Sequence, residues 1–151
     1  MTPTTLEAWA LRLIQTESLS VKFDPGSPPA GVDPEAAQAA PTRPGRPPEL
    51  RVVQRAPKSP SAGALVAKEA RARLLHTFLH HELQAAELMA WAVLAFPEAP
   101  EAFRRGLASI ACDEVRHMRM YRAHLRTLGF EFGDFPVRDW FWQRVPTCTT
   151  P

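Results

Sequence analysis

The chain has 151 residues, sixteen prolines, two cysteines and a formal net charge of +2. That length suits one domain, and its longest apolar run, Leu88 to Phe96, is far shorter than the ~20 residues a membrane-spanning helix needs. The mild charge lacks the clustered basic surface of a dedicated nucleic-acid binder. The opening MTPTTLEAWA has no basic or apolar signal segment, and two cysteines make neither a disulfide framework nor a zinc knuckle. The expectation is a soluble, cytoplasmic protein with no membrane contact.

Residues 1–20 carry the first element. Leu6, Trp9, Ala10 and Leu13 recur at helical spacing between Thr4 and Thr16, and Thr4 with Glu7 has the form of a capping box. Residues 21–61 read as a Pro-rich linker, because ten of the sixteen prolines fall between Asp24 and Pro60 and exclude a regular helix or central strand. The same composition also suits an extended arm packed on the domain surface.

Residues 62–151 carry the chemistry. The pattern predicts one helix from near Ala62 to Phe96 and a second from Pro100 or Glu101 to Leu128, with Gly129 placed to end it. The connection through Pro97 and Pro100 is short, so the two should form an antiparallel hairpin. The fold class is therefore all-α: a long helical hairpin, a short N-terminal helix and a Pro-rich linker. The aromatic tail, from Phe130 to Trp142, must cover the hairpin or a partner chain.

Ionisable residues interrupt both apolar stripes. Glu82 falls in register with Leu75, Leu79, Ala86, Met89, Val93 and Phe96. In the second helix Glu114 and His117 stand where Phe103, Leu107, Ile110, Tyr121, Leu125 and Leu128 set an apolar pattern. Carboxylates in such positions need partners, since burying one alone is costly. A Glu from one helix facing Glu-x-x-His from its neighbour is the donor pattern of a carboxylate-bridged dimetal site. Positions i and i+3 share a helix face, so Glu114 and His117 can reach one ion. A metal-free hydrogen-bonded cluster is the plainer alternative.

Glu87 is the alternative ligand to Glu82, but it lies on another face with His76 and His80, a set that could itself chelate or simply form a polar face. Tyr121 follows His117 by one turn, as a partner for a ligand or as core packing. Arg119, Arg122 and Arg126 read as a solvated face, with RNA contact the remoter alternative, and neither Cys112 nor Cys148 is placed to be a ligand.

The stretches HELQAAELMAWAVLAFPEAPEAFRRGL, DEVRHMRMY and LGFEFGDFPV resemble a bacterial ferritin-like family of unknown function. The E-x-x-A of Glu82 is similar to rubrerythrin and ferritin, and D-E-x-R-H to bacterial multicomponent monooxygenases; tRNA-modifying non-haem di-iron hydroxylases look like relatives. The likeness is strong over Leu74 to Pro151 and weak at TLEAWA. It implies half of a four-helix bundle, with Glu82, Glu114 and His117 as ligands of di-iron, or of manganese. It also implies a supporting role for Asp113, similar to an acid that orients a ligating His, the alternative being a solvent-exposed acid.

Members of that family have two further helices supplying a second Glu and a second E-x-x-H. This chain therefore holds half a ligand set, completed by a homodimer or by a missing C-terminal half-bundle. The implied activity is oxidation or hydroxylation of an unidentified small molecule with O₂ or peroxide. A metal-free helical interaction or scaffold protein, or an inactive truncated fragment, is the alternative.

Overall fold

The computed structural model describes residues 2–33, 35 and 40–150. Among the described residues it is all-α, with four α-helices: α1 (Leu6–Gln15), α2 (Leu19–Phe23), α3 (Lys68–Ala95) and α4 (Glu101–Thr127). Among the described residues no helix is long and apolar enough to cross a membrane. The long helices α3 and α4 pack along each other and run antiparallel. Val93 meets Arg104 near the loop, and Glu82 meets His117 further along.

α3 starts later than the sequence pattern suggests. Residues Ala62–Val66 form a 3₁₀ turn instead, and Ala67 is extended (φ −78°, ψ 132°). Gly63 weakens helix propagation there, and the Arg71 guanidinium occupies the Leu65 and Val66 carbonyls. The end of α4 follows expectation. Gly129 adopts φ +81°, its N–H donates to Arg126 O, and Phe130 N–H donates to Leu125 O. These two bonds satisfy carbonyls that a helix end leaves orphaned.

The cap of α1 is Thr5 rather than Thr4: its hydroxyl accepts from Ala8 N–H. Glu7 closes no capping box. It is buried and bonds Arg104 at 2.7 Å and the Asp33 N–H at 2.8 Å. Tertiary charge pairing has displaced the local motif. Leu6, Trp9, Leu13 and Ile14 pack with Leu88, Trp91, Leu94 and Trp142, near the loop end of the hairpin.

The Pro-rich segment lies along this assembly as an extended arm. Leu6 N–H donates to Gly31 O and Gly45 N–H to Ile14 O, and Val137 of the C-terminal tail joins the arm by accepting from Val53 N–H and donating to Arg51 O. At Gly45 a Cβ would lie 2.0 Å from Gln15 O, so the close approach itself requires glycine. Phe132, Phe135, Val137 and Trp142 of the tail are buried against the rest of the chain.

This wrapping covers one side of the hairpin and leaves the other open. The fully covered face of α4 is Arg104, Ala108, Ala111, Val115, Met118 and Leu125, whereas Phe103 and Ile110 are 45% and 44% exposed. On α3, Leu79, Ala86 and Val93 are buried, while Leu75, Met89 and Phe96 are only half-buried. The stripes read from the sequence as core therefore straddle the edge of an open apolar face. The tail reaches this face only near the hairpin loop, where Phe141 and Val145 share an apolar cleft with Met89, Phe96, Phe103 and Leu107.

Candidate metal centre

Glu82, Glu114 and His117 come together on that open face. Each offers a ligand atom within 4.8 Å of the others. His117 Nδ1 lies 2.9 Å from Glu114 Oε2 and 3.6 Å from Glu82 Oε2. The helical rise places Glu114 and His117 side by side, and antiparallel packing carries Glu82 across to them.

The electrostatics show two carboxylates competing for one position. Partial burial and the neighbouring Glu114 push the Glu82 carboxyl up to about 7. The hydrogen bond from Glu82, with that to His117, holds Glu114 below the ordinary carboxylate range. The bond to Glu114 raises His117 above the usual imidazole value. Two carboxylates at short range oppose each other's ionisation, and the cost falls on Glu82. A divalent cation would relieve the same crowding. Two carboxylate oxygens and an imidazole nitrogen suit iron, manganese or zinc, so the residues fit a metal ion.

Beside the cluster is a cavity of about 440 Å³ lined by Leu75, Glu82, His117, Met120, Tyr121 and His124. Tyr121 is half-buried, with its ring 5.9 Å from that of Phe78. Asp113 pairs with Arg116 on the helix surface, facing the neighbouring arginine rather than the cluster.

Glu87 is elsewhere. It is fully buried and accepts from Lys22 Nζ at 2.7 Å, from Arg46 at 2.6 and 2.9 Å, and from Trp142 Nε1 at 2.8 Å. His76 and His80 do not converge on it as a chelate. His76 Nε2 accepts from Gly133 N–H, and His80 Nε2 bonds Asp139 at 3.1 Å. The arginines are not merely solvated either. Arg119 holds Phe23 O and Asp24, and Arg122 and Arg126 both bond Glu131. Cys112 is half-buried and Cys148 exposed.

Sequence reasoning missed the buried cations Lys22 and Arg104. Lys22 Nζ caps the Leu13 and Ile14 carbonyls as well as pairing with Glu87, and Arg104 bonds Val93 O and Glu7. A partial signal was present: Glu7 lies beside Leu6 and ahead of Trp9, on a helix too short to keep a charge far from its apolar face.

The fold and cluster define a class: an all-α protein with a carboxylate–histidine group between two long antiparallel helices. The chain belongs to a family described as "Protein of unknown function (DUF455)", whose model matches residues 4–150. An uncharacterized protein of Haemophilus influenzae is 32% identical over 95 residues, covering 58% of this chain and 33% of the relative. The match thus spans about a third of the length of that curated relative. No solved structure is significantly similar.

Proposed function

We propose that the chain is a ferritin-like dimetal-carboxylate protein holding half of a ligand set, with Glu82, Glu114 and His117 as its metal ligands. The observation that carries this reading is the convergence of these three donors on one open face of the α3–α4 hairpin. Iron is the favoured metal, with manganese as the alternative. When bound, such a metal supplies redox chemistry with O₂ or peroxide toward oxidation or hydroxylation of a small molecule.

The chain's own residues set the conditions for that chemistry. Glu82 and Glu114 would bring negative charge to an ion, and Glu82, its carboxyl raised to about 7, would have to be ionised to ligate it. His117 contributes a neutral nitrogen, which requires loss of its proton as well. Leu75, Met120 and Tyr121 give the adjoining cavity an apolar wall, which a partner covering this face would close to water.

A second copy of the chain completes the donor set by two-fold symmetry. Glu114 and His117 straddle the middle of the α4 stripe from Phe103 to Leu128, so a two-fold axis through the cluster would lay one stripe along the other. The same contact covers Phe103, Ile110 and Met120, the last being 70% exposed.

The test is metal content and oligomeric mass of the purified chain, followed by aerobic titration with Fe(II). A near-ultraviolet band that Glu114→Ala removes, with two metals per dimer, supports the reading. A folded, metal-free monomer that gives no such band contradicts it. The open apolar face favours one second reading, a helical interaction protein without metal chemistry. It is supported if Ile110→Glu abolishes self-association while Glu114→Ala leaves it intact.

A further inference from the structure

The chain has a single tyrosine, Tyr121, and it lines the cavity beside the cluster together with Glu82 and His117. From its ring a series of aromatic contacts leads across α3 to the tail. The Phe78 ring centroid lies 5.9 Å from that of Tyr121 and 6.5 Å from that of His81. His81 lies 5.2 Å from Phe141, and Phe141 lies 5.5 Å from Trp140. The series ends at the surface: Trp140 is 42% exposed, whereas Trp9, Trp91 and Trp142 are buried.

All four spacings fall inside the ~4.5–7 Å range of aromatic ring contact. Residues three apart share a helix face, so α3 presents Phe78 and His81 together, and the tail adds Phe141 and Trp140 as neighbours in sequence. The Arg144 guanidinium, 3.9 Å from the Trp140 ring centroid, holds the last ring in place. Core formation does not account for the series. Phe78, His81 and Trp140 remain exposed, so these contacts run along the surface instead of closing an interior.

We infer that Tyr121, Phe78, His81, Phe141 and Trp140 form an electron relay between the open-face cluster and the protein surface, with Trp140 as the point where a one-electron carrier exchanges its electron. Tyrosine and tryptophan hold the two rings that lose one electron most readily. The three rings between them carry no charge. They bridge the gap with π-systems, which couple donor and acceptor better than water would. When a neutral indolyl radical stands at Trp140, Tyr121 supplies the electron and releases its phenolic proton to solvent, and the indole nitrogen takes a proton back. One tyrosyl radical replaces one indolyl radical, and no further reagent is consumed. Service to a metal centre rests on the reading of Glu82, Glu114 and His117 as ligands. The relay itself is a property of the rings and is testable without metal.

The experiment is pulse radiolysis of the chelator-treated full chain in azide solution, where the azide radical oxidises exposed tryptophan in preference to tyrosine. The indolyl absorption is expected to fade as the phenoxyl absorption grows, in one first-order step whose rate does not change with protein concentration. Tyr121→Phe should abolish the growth and Trp140→Phe should remove most of it. Phe78→Leu and His81→Leu should each slow it several-fold, and if one of them loses helical signal the other carries the comparison. Absence of phenoxyl growth, a rate proportional to protein concentration, or an unchanged rate in the folded bridge variants overturns the relay. A chain that passes the electron but binds no metal ion overturns the metal reading alone, so the two failures are told apart.

Discussion

Lys22 Nζ lies 2.7 Å from Glu87 Oε1 with both side chains fully out of solvent, tying the short helix α2 to the middle of α3. Arg46 from the arm and Trp142 from the tail reach the same carboxylate. One residue of α3 therefore holds three otherwise separate segments against the hairpin. Burial pushes the Lys22 ammonium below its usual value, and the Glu87 charge opposes that shift. The pair persists because each ion has several partners.

Removing one side of such an arrangement leaves buried cations uncompensated. Glu87→Gln is expected to lower stability by about 3–5 kcal/mol, read from denaturant midpoints. Glu82→Gln should cost little, since Glu82 is partly exposed and crowding by Glu114 already raises its carboxyl to about 7. Equal losses in the two variants would contradict the separate roles assigned to these residues.

Metal binding at the cluster should raise the melting temperature and release protons. Glu82 and His117 both have native pKa values above their unfolded ones, with Glu82 at about 7. The sign follows: their contribution is complete at low pH and is lost as pH rises through those native values. Glu114 is shifted the opposite way, so its contribution is lost only as pH falls through its depressed native value. Metal-free protein should therefore lose some stability as pH rises from near 5 to near 8. Mn(II) should stabilise it most at the upper end, and melting curves across that range with and without the ion test both statements.

Asp139 behaves differently. His80 and Arg46 bond its carboxylate and hold it at about 2, despite burial. A depressed carboxylate stabilises the fold above its unfolded pKa and loses that contribution as pH falls toward the native one. From the ordinary 3.8 to about 2, the shift corresponds to about 2 kcal/mol. Acid unfolding of Asp139→Asn should be correspondingly flatter between about pH 4 and pH 2, as monitored by circular dichroism.

Two glycines test the backbone account. Gly45→Ala would force a Cβ to 2.0 Å from Gln15 O, and should destabilise by about 1–3 kcal/mol, as overpacked sites do. Gly106 lies within α4, is exposed, and has nothing within 4 Å of a built Cβ. Gly106→Ala should therefore stabilise by about 0.5–1 kcal/mol through helix propensity. Thermal melts that reversed this order would refute the packing argument.

Periodicity was enough to read the two long helices, their turn at Pro97 and Pro100, and the stop at Gly129, because each rests on local backbone preference. The same spacing placed Glu82, Glu114 and His117 on facing sides of adjacent helices, and the structure brings them within ligand distance. Local rules could not reveal which face of the hairpin would be covered. That depended on where Trp9, Phe23, Phe132 and Trp142 found apolar surface, and on Lys22, Arg46 and Arg104 finding carboxylates far away in the chain. Helix formation follows from residues three and four apart. The pairing of buried charges and the choice of the open face follow from contacts between distant segments, which only the folded chain brings together.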